Sequence, residues 1–373
     1  MDEQTQNSQI DETESAEKKQ EVVSAKKKRS MNGPLLVLEF LVLCIAIGVL
    51  YVVVKTTSEI ERTDIDSDTI TINEEVVETM EEEQEELGYR NIALFGVDAR
   101  DGELGKGTRS DSIIIASINL DTHEIKLVSV YRDTYLNLSN DSYNKCNSAY
   151  AQGGPEQAIN MLNKNLDLNI TDYATIGFSG LIEAIDVLGG IEMEITQAEI
   201  NHLNNYQLCM AEELGVDYVP VTKAGKQTLN GMQATAYCRI RYTKGDDFRR
   251  AERQRDVLGA MMIKAKTASL STLNEVVAAV LPCINTSLNV NEIISVLGTV
   301  ADYNVVTSEG FPFEENRAGA TVGSKGSCII PTTLEDNVIT LHKILYDEED
   351  YVPSREVINI SQEIASQTDE YLN

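Results

Sequence analysis

The sequence predicts a mixed α/β (α+β) domain, built on a central, largely antiparallel sheet covered by helices and preceded by a single transmembrane helix. Three observations carry this reading. The apolar stretch GPLLVLEFLVLCIAIGVLYVVVK, residues 33–55, holds one acidic residue, Glu39, and is long enough to cross a bilayer core. Three unbroken apolar runs (NIALFGVD, SIIIASINL and IKLVSVYRD) follow each other with short polar connections. Segments of helical period then alternate with short strand-like pieces over the rest of the chain.

Residues 1–32 are polar and end in Lys26, Lys27, Lys28 and Arg29. They predict a disordered tail, and the basic cluster puts it in the cytoplasm by the positive-inside rule, with everything after Lys55 outside. A cleaved signal peptide competes with the anchor, but the apolar run exceeds a usual h-region and no small-x-small cleavage site follows. Residues 56–89, with the run EEVVETMEEEQEELG, are expected to be an acidic extracytoplasmic spacer.

Residues 91–98 read as a strand apolar on both faces, as in a sheet covered on both sides. Ser112–Leu120 is the second strand and Ile125–Asp133 the third; the tight DTHE turn between them favours antiparallel neighbours. The glycines at 96, 102, 105 and 107 form no dinucleotide fingerprint, and a doubly wound nucleotide fold is disfavoured. Gly153-Gly154-Pro155 reads as a turn with Pro155 opening a helix over 155–166. Residues 170–195 read as strand, helix and strand, with Gly189-Gly190 ending the helix. A polar excursion is expected over 196–226, then a turn at Asn230-Gly231, a short helix and a strand over 237–242. Asp246 or Asp247 caps the next helix. The expected core spans 90–265, residues 266–350 complete the same domain, and 351–373 form a frayed polar tail.

Composition narrows the function. With 31 Lys and Arg against 60 Asp and Glu the formal charge is −29, which argues against a general nucleic-acid binder. Three scattered histidines have no zinc-like spacing. Cys283 with Cys328 is a candidate disulfide among five cysteines outside the apolar run, while Cys238 is expected in the core.

Against this acidic background, Tyr237–Asp256 collects Arg239, Arg241, Arg249, Arg250, Arg253, Arg255 and Lys244. A solvated, ion-paired helix face is one reading; a phosphate site is the other, because guanidinium forks hold phosphate oxygens bidentately. On the expected strand, Arg239 and Arg241 share one face. Asp98 ends the first apolar run, Arg109 and Asp111 open the second, and Arg132 and Asp133 end the third. Asp98 and Asp111 are a candidate pair for a divalent cation, since Mg2+ is usually held by one or two carboxylates with waters and phosphates. Arg109, Arg132, Arg239, Arg241 and Arg250 would then surround a diphosphate.

The stretches NIALFGVDAR, GTRSDSIIIASIN, KLVSVYRDTYL, NKCNSAYAQGGPE, DYATIGFSGLIEAIDVLGGIEMEI, LNGMQATAYCRIRY and DDFRRAERQRDVL, in unbroken order over about 90–260, resemble the LytR-CpsA-Psr (LCP) family of envelope proteins. The resemblance implies a mixed sheet between helices and a groove for a polyprenyl chain, expected near 155–166 and 174–188. It implies transfer of a glycopolymer from a polyprenyl-diphosphate carrier onto peptidoglycan, with Mg2+ (or Mn2+) as cofactor, at the outer membrane face of a Gram-positive-type bacterium. Asp98 and Asp111 match the metal-associated aspartates, with Asp98 also the candidate base. Arg109, Arg132, Arg239, Arg241 and Arg250 match the diphosphate-side arginines; Asp247, or its neighbour Asp246, matches an aspartate near the headgroup, and Gln254 a polar position one turn beyond Arg250. The implied partners are the lipid-linked polymer, peptidoglycan and the bilayer, with no nucleic acid. Tyr131 stands where the family often has proline. A non-catalytic regulator or polymer-binding scaffold, and a hydrolase using water as acceptor, are the competing functions.

Overall fold

The computed structural model describes residues 65, 69–77, 88–98, 104–241 and 246–372. The expected membrane helix at 33–55, with Glu39 and Cys44, lies outside them, as do most of the acidic spacer, Tyr242 and Lys244. Among the described residues no helix is long and apolar enough to cross a membrane.

Strands β1 (Tyr89–Val97), β2 (Ser110–Asn119) and β3 (Glu124–Val130) form two successive antiparallel hairpins. Their continuous apolar runs divide cleanly by the period of two. Phe95, Ile113, Ile115 and Val128 enter one core cluster, while Ile114, Ala116 and Leu127 enter another on the opposite face. The sheet is mixed, because later strands join it on both sides. Its order is β10-β3-β2-β1-β6-β9, with β6 (Asp172–Ile176) parallel to β1, β10 (Asn304–Phe311) parallel to β3, and β9 (Ile284–Thr286) antiparallel to β6.

The first face is covered by α1 (Asn147–Leu166) and two later helices, α8 (Leu334–Tyr346) and α9 (Arg355–Leu372). Helix α1 starts earlier than expected and bends at Gly154, whose φ of 69° and ψ of −154° are open to glycine. The expected frayed tail is instead α9, because Val357, Ile360 and Ile364 repeat at helical spacing and are buried in the main core. Part of the expected spacer also belongs to the domain. Val76 is buried, the Thr71 amide donates to Asn160 Oδ1 (2.7 Å), and Asn73 Nδ2 donates to Asp167 Oδ1 (2.6 Å).

A second core gathers α2 (Phe178–Val187), the hairpin β7 (Ile191–Ile195) and β8 (Gly225–Leu229), α3 (Glu199–Leu214), α4 (Gly231–Cys238) and the start of α5 (Asp246–Lys266). Helix α3 occupies what the sequence reads as a polar excursion: Ile200, Leu203, Gln207 and Met210 line one face and are buried. Helix α4 opens on a capping box between Asn230 and Gln233. Helix α5 bridges the two cores: Val257 packs in the second, while Leu258 and Met262 cover the outer face of the sheet.

Candidate functional site

The connectivity brings the chemistry to one end of the sheet. In an antiparallel hairpin pair, the end of β1, the start of β2 and the end of β3 are adjacent. Asp98 follows β1, Asp111 sits at the second position of β2, and Arg132 follows β3 by two residues. The β2–β3 register, with Ile114 opposite Ser129, continues to place Asp111 opposite Arg132. Arg132 Nη1 donates to Asp111 Oδ1 at 2.5 Å.

The arginine stretch folds differently from the expected strand. Tyr237 and Cys238 are the last turn of α4, and Arg239 is its C-cap, in helical backbone geometry. Local propensity was overridden by the Asn230 cap and by burial of every residue from Gly231 to Cys238. The two side chains nevertheless reach the same site: Arg239 Nη2 lies 3.9 Å from Asp98 Oδ2, and Arg241 Nη2 lies 3.7 Å from Asp111 Oδ2. The first turn of α5 adds Asp247, whose carboxylate is 3.0 Å from Arg250 Nη1 and 3.9 Å from Arg132 Nη2.

Asp98, Asp111, Arg239, Arg241, Arg250 and Gln254, with Phe178, Tyr206 and Cys238, line one cavity of about 290 Å3. Beside it, a void of about 10 Å3 is bounded by Asp111, Arg132, Asp133, Asp247, Arg250 and Gln254 among others. Arg132 Nε, Arg239 Nη1 and both Nε and Nη1 of Arg250 are buried with no hydrogen-bond acceptor among the described residues. Asp247 is within ion-pair distance of Arg250 but is misaligned for a hydrogen bond. Buried guanidinium donors left unsatisfied are costly, so water or a bound anion is needed to complete them.

Arg250 is 4% exposed. Burial, reinforced by the neighbouring Arg132 charge, pushes its pKa down to about 10. Arg132 goes the other way: burial opposes its charge, but Asp111, Asp133 and Asp247 outweigh it and raise its pKa. Asp133 accepts from Lys145 Nζ at 2.9 Å; burial disfavours its charge, yet Lys145 and Arg132 hold its carboxyl below the usual range. Arg239 also lies over aromatic faces, 4.4 Å from the Phe178 ring centre and 5.6 Å from that of Tyr206. Burial pushes the Cys238 thiol up to about 12, so it stays protonated and is no nucleophile.

Several expected residues fall elsewhere. Arg109 is exposed, lines neither cavity and forms no ion pair among the described residues. Arg253 is 1% exposed and bridges Glu199 of α3 at 2.9 Å, with Nη1 donating to the Ile240 carbonyl. Arg255 is buried against Ser308 of β10 (2.8 Å), and Arg249 pairs with Glu252 at the surface. Ala158, Ile159, Met161 and Leu162 of 155–166 are in the main core and line neither cavity, whereas Phe178 of 174–188 lines the larger one. Cys283 and Cys328 are both free thiols. Phe178, Tyr206 and Lys145 were not anticipated. The helical repeat Ile200, Leu203, Gln207, Met210 was the signal that could have placed Tyr206 on a helix.

Asp98 and Asp111 fit a hard cation only in part. Both line the cavity, but no group of three or more acidic, histidine or cysteine side chains able to hold a metal exists among the described residues. That donor set suits Mg2+, which keeps waters and takes phosphate oxygens, and not an all-protein cage.

A family model, the LytR_cpsA_psr family, matches residues 49–325. The chain is 30% identical over 229 residues to the polyisoprenyl-teichoic acid–peptidoglycan teichoic acid transferase TagU of Oceanobacillus iheyensis, covering 59% of this chain and 66% of that protein. It is 31% identical over 224 residues to TagU of Enterococcus faecalis, covering 58% and 69%. The crystal structure of protein gbs0355 from Streptococcus agalactiae superposes with a TM-score of 0.58 at 26% identity, over 73% of this chain and 91% of that one. The central hairpins β1–β3 and the mixed sheet under helices agree with the matched family, while the expected strand at 237–242 does not form: this chain belongs to the LytR_cpsA_psr family.

Proposed function

We propose that this protein is a phosphotransferase that moves a glycopolymer from a polyprenyl-diphosphate carrier onto peptidoglycan and releases polyprenyl phosphate. The observation that carries the reading is the set of buried, unsatisfied guanidinium nitrogens on Arg239 and Arg250, which line the 290 Å3 cavity with Asp98 and Asp111, and on Arg132, which borders the small void beside it. Four arginines against the carboxylates of Asp98, Asp111 and Asp247 leave the wall positive, while Asp133 and Lys145 cancel each other. The names of the two TagU relatives supply the reaction class.

The acceptor hydroxyl forms a new O–P bond at the sugar-linked phosphorus. The bridging P–O bond breaks, its electron pair leaves on the polyprenyl phosphate, and the hydroxyl proton passes to a carboxylate. Asp98 is the proposed base: it is 40% exposed and among the described residues its nearest cation is Arg239 at 3.9 Å, whereas Asp111 is engaged by Arg132 and Arg241. Arg132, Arg239, Arg241 and Arg250, with Gln254, orient the diphosphate and meet charge developing on its oxygens. Asp111, with Asp98 through one oxygen only, would hold Mg2+ or Mn2+, which supplies neutralisation of the leaving phosphate and leaves the second Asp98 oxygen to take the proton. Residues 33–55 would anchor the site at the outer membrane face, where the lipid carrier is presented.

The test is reconstitution of the 373-residue chain in vesicles with a short polyprenyl-diphosphate saccharide, a peptidoglycan oligomer and Mg2+, read by mass spectrometry. The joined phosphodiester is expected from the wild type and lost in Arg132→Ala. Polyprenyl phosphate released with no joined product would make the protein a hydrolase. Absence of both products, with lipid still bound equally by wild type and Arg132→Ala, would leave the scaffold reading.

A further inference from the structure

Two arms of the anion site have no continuous element between them. Arg132 comes from the end of β3; Asp247 and Arg250 come from the first turn of α5, more than a hundred residues later. Their mutual contacts are loose, at 3.9 Å between Arg132 and Asp247. Something outside the charged set must fix their relative position.

The residues flanking them meet in one stack. Tyr131 immediately precedes Arg132, and Phe248 immediately follows Asp247. Their rings lie edge to face, 4.7 Å between centres at 83°. Arg317, at the start of β11 (Arg317–Thr321), lays its guanidinium 4.1 Å from the Phe248 ring centre and 5.3 Å from that of Tyr131. The guanidinium is itself anchored: Nη1 donates to the Pro312 carbonyl at 3.0 Å and to the Tyr131 hydroxyl at 3.4 Å. The backbone on the Tyr131 side is held as well, its amide donating to the Phe311 carbonyl at 2.9 Å.

The neighbouring strand is shaped for this ring. A Cβ on Gly310 of β10 would fall 2.0 Å from the Tyr131 hydroxyl oxygen, so only glycine leaves room for the tyrosine. Neither Phe248 nor Arg317 lines the 290 Å3 cavity, and neither enters the chemistry proposed above. Phe248 is 37% exposed, and its ring face is occupied by a cation.

We infer that Phe248 and Arg317 are positioning residues: with Tyr131 they form a cation–aromatic latch that holds the first turn of α5 so that Asp247 and Arg250 stay opposite Arg132. The inference rests on the diphosphate reading of the site for its consequence, but not for the latch itself. The latch also makes the β11 hairpin, distant in sequence, part of the site's support.

The test separates the two. In the 373-residue chain, hydrogen exchange is followed at the amides of residues 250–254, and Mg2+-pyrophosphate binding by calorimetry. Phe248→Leu and Arg317→Ala are expected to speed exchange there several-fold and to weaken pyrophosphate by about tenfold, the scale of a lost cation–aromatic and aromatic pair. Phe248→Tyr is expected to restore both. In a double-mutant cycle, Phe248→Leu is expected to couple with Arg250→Lys and to add simply to Leu270→Ala, an exposed residue of α6 (Leu270–Val280). Faster exchange in the variants, with a wild type that binds no pyrophosphate, would keep the latch and remove the diphosphate reading. Unchanged exchange in folded Phe248→Leu overturns the latch. Faster exchange with binding within twofold of wild type overturns the positioning role.

Discussion

Arg250→Met should make the ligand-free protein more stable while removing its anion site. A guanidinium whose pKa is pushed down to about 10 by burial carries its charge in the fold at a cost of about 3 kcal/mol, since arginine stays charged at neutral pH. Nε and Nη1 have no acceptor, so little hydrogen bonding is lost on replacement. Methionine keeps most of the apolar volume of the stem. Against this gain stands Asp247, left with Arg132 at 3.9 Å as its ion-pair partner. The balance is a gain of about 1–2 kcal/mol, or roughly 2–4 °C in Tm for a domain of this size. Mg2+-pyrophosphate binding should weaken by about 100-fold, the usual scale for deleting one buried charged partner. Arg250→Lys should fall between, because a point charge lacks the bidentate fork. The assay is thermal unfolding with and without Mg2+-pyrophosphate. A drop of several degrees in the ligand-free variant, with its affinity unchanged, would refute the argument that Arg250 is held for a ligand and not for the fold.

Other consequences follow from groups outside the site. His342 is fully buried, stacked at 3.6 Å on Tyr351, with Nε2 on the Leu166 carbonyl, and burial pushes its pKa down to about 4. Its folded pKa lies below the ordinary 6.5, so the unfolded chain binds the extra proton; stability is full above about pH 6.5 and falls by about 3 kcal/mol as pH drops towards 4. His342→Gln should flatten that slope in urea titrations run across this window. Glu199→Gln leaves the Arg253 charge buried without its carboxylate and should cost about 3–5 kcal/mol, seen as a lower urea midpoint. Cys209 is exposed, whereas Cys146, Cys238 and Cys328 are buried. Under native conditions a thiol reagent should modify Cys209 and reach the other three only after unfolding, as read by peptide mass mapping.

Much of the site was legible because its parts sit at the ends of strongly patterned strands. The runs at 91–98, 112–120 and 125–133 are apolar on both faces, and burial free energy depends on residue type and spacing, which the sequence carries. Once DTHE makes a hairpin, Asp111 and Arg132 must meet, and they do at 2.5 Å. Asp98 follows from the preceding hairpin in the same way. Less was legible where charge alone was the signal. Arg109 and Arg132 look equivalent in sequence, yet one is exposed in a loop and the other closes the site.

The amino-acid sequence by itself determined the sheet's central hairpins, the membership of the LytR_cpsA_psr family and the convergence of Asp98, Asp111 and Arg132. Tertiary structure alone decided how the later arginines divide. Arg250 and Arg253 are three residues apart on one helix and chemically identical, but Arg250 meets the cavity and Arg253 meets Glu199. It also decided that Arg239 and Arg241 arrive from a helix end and not from a strand. The physical reason is range. Hydrophobic periodicity is a local property of the chain, whereas the fate of a guanidinium depends on which carboxylate, ring or void another segment brings to it: Glu199 from 54 residues away, and the Arg317 stack against Tyr131 from 186 residues along the chain.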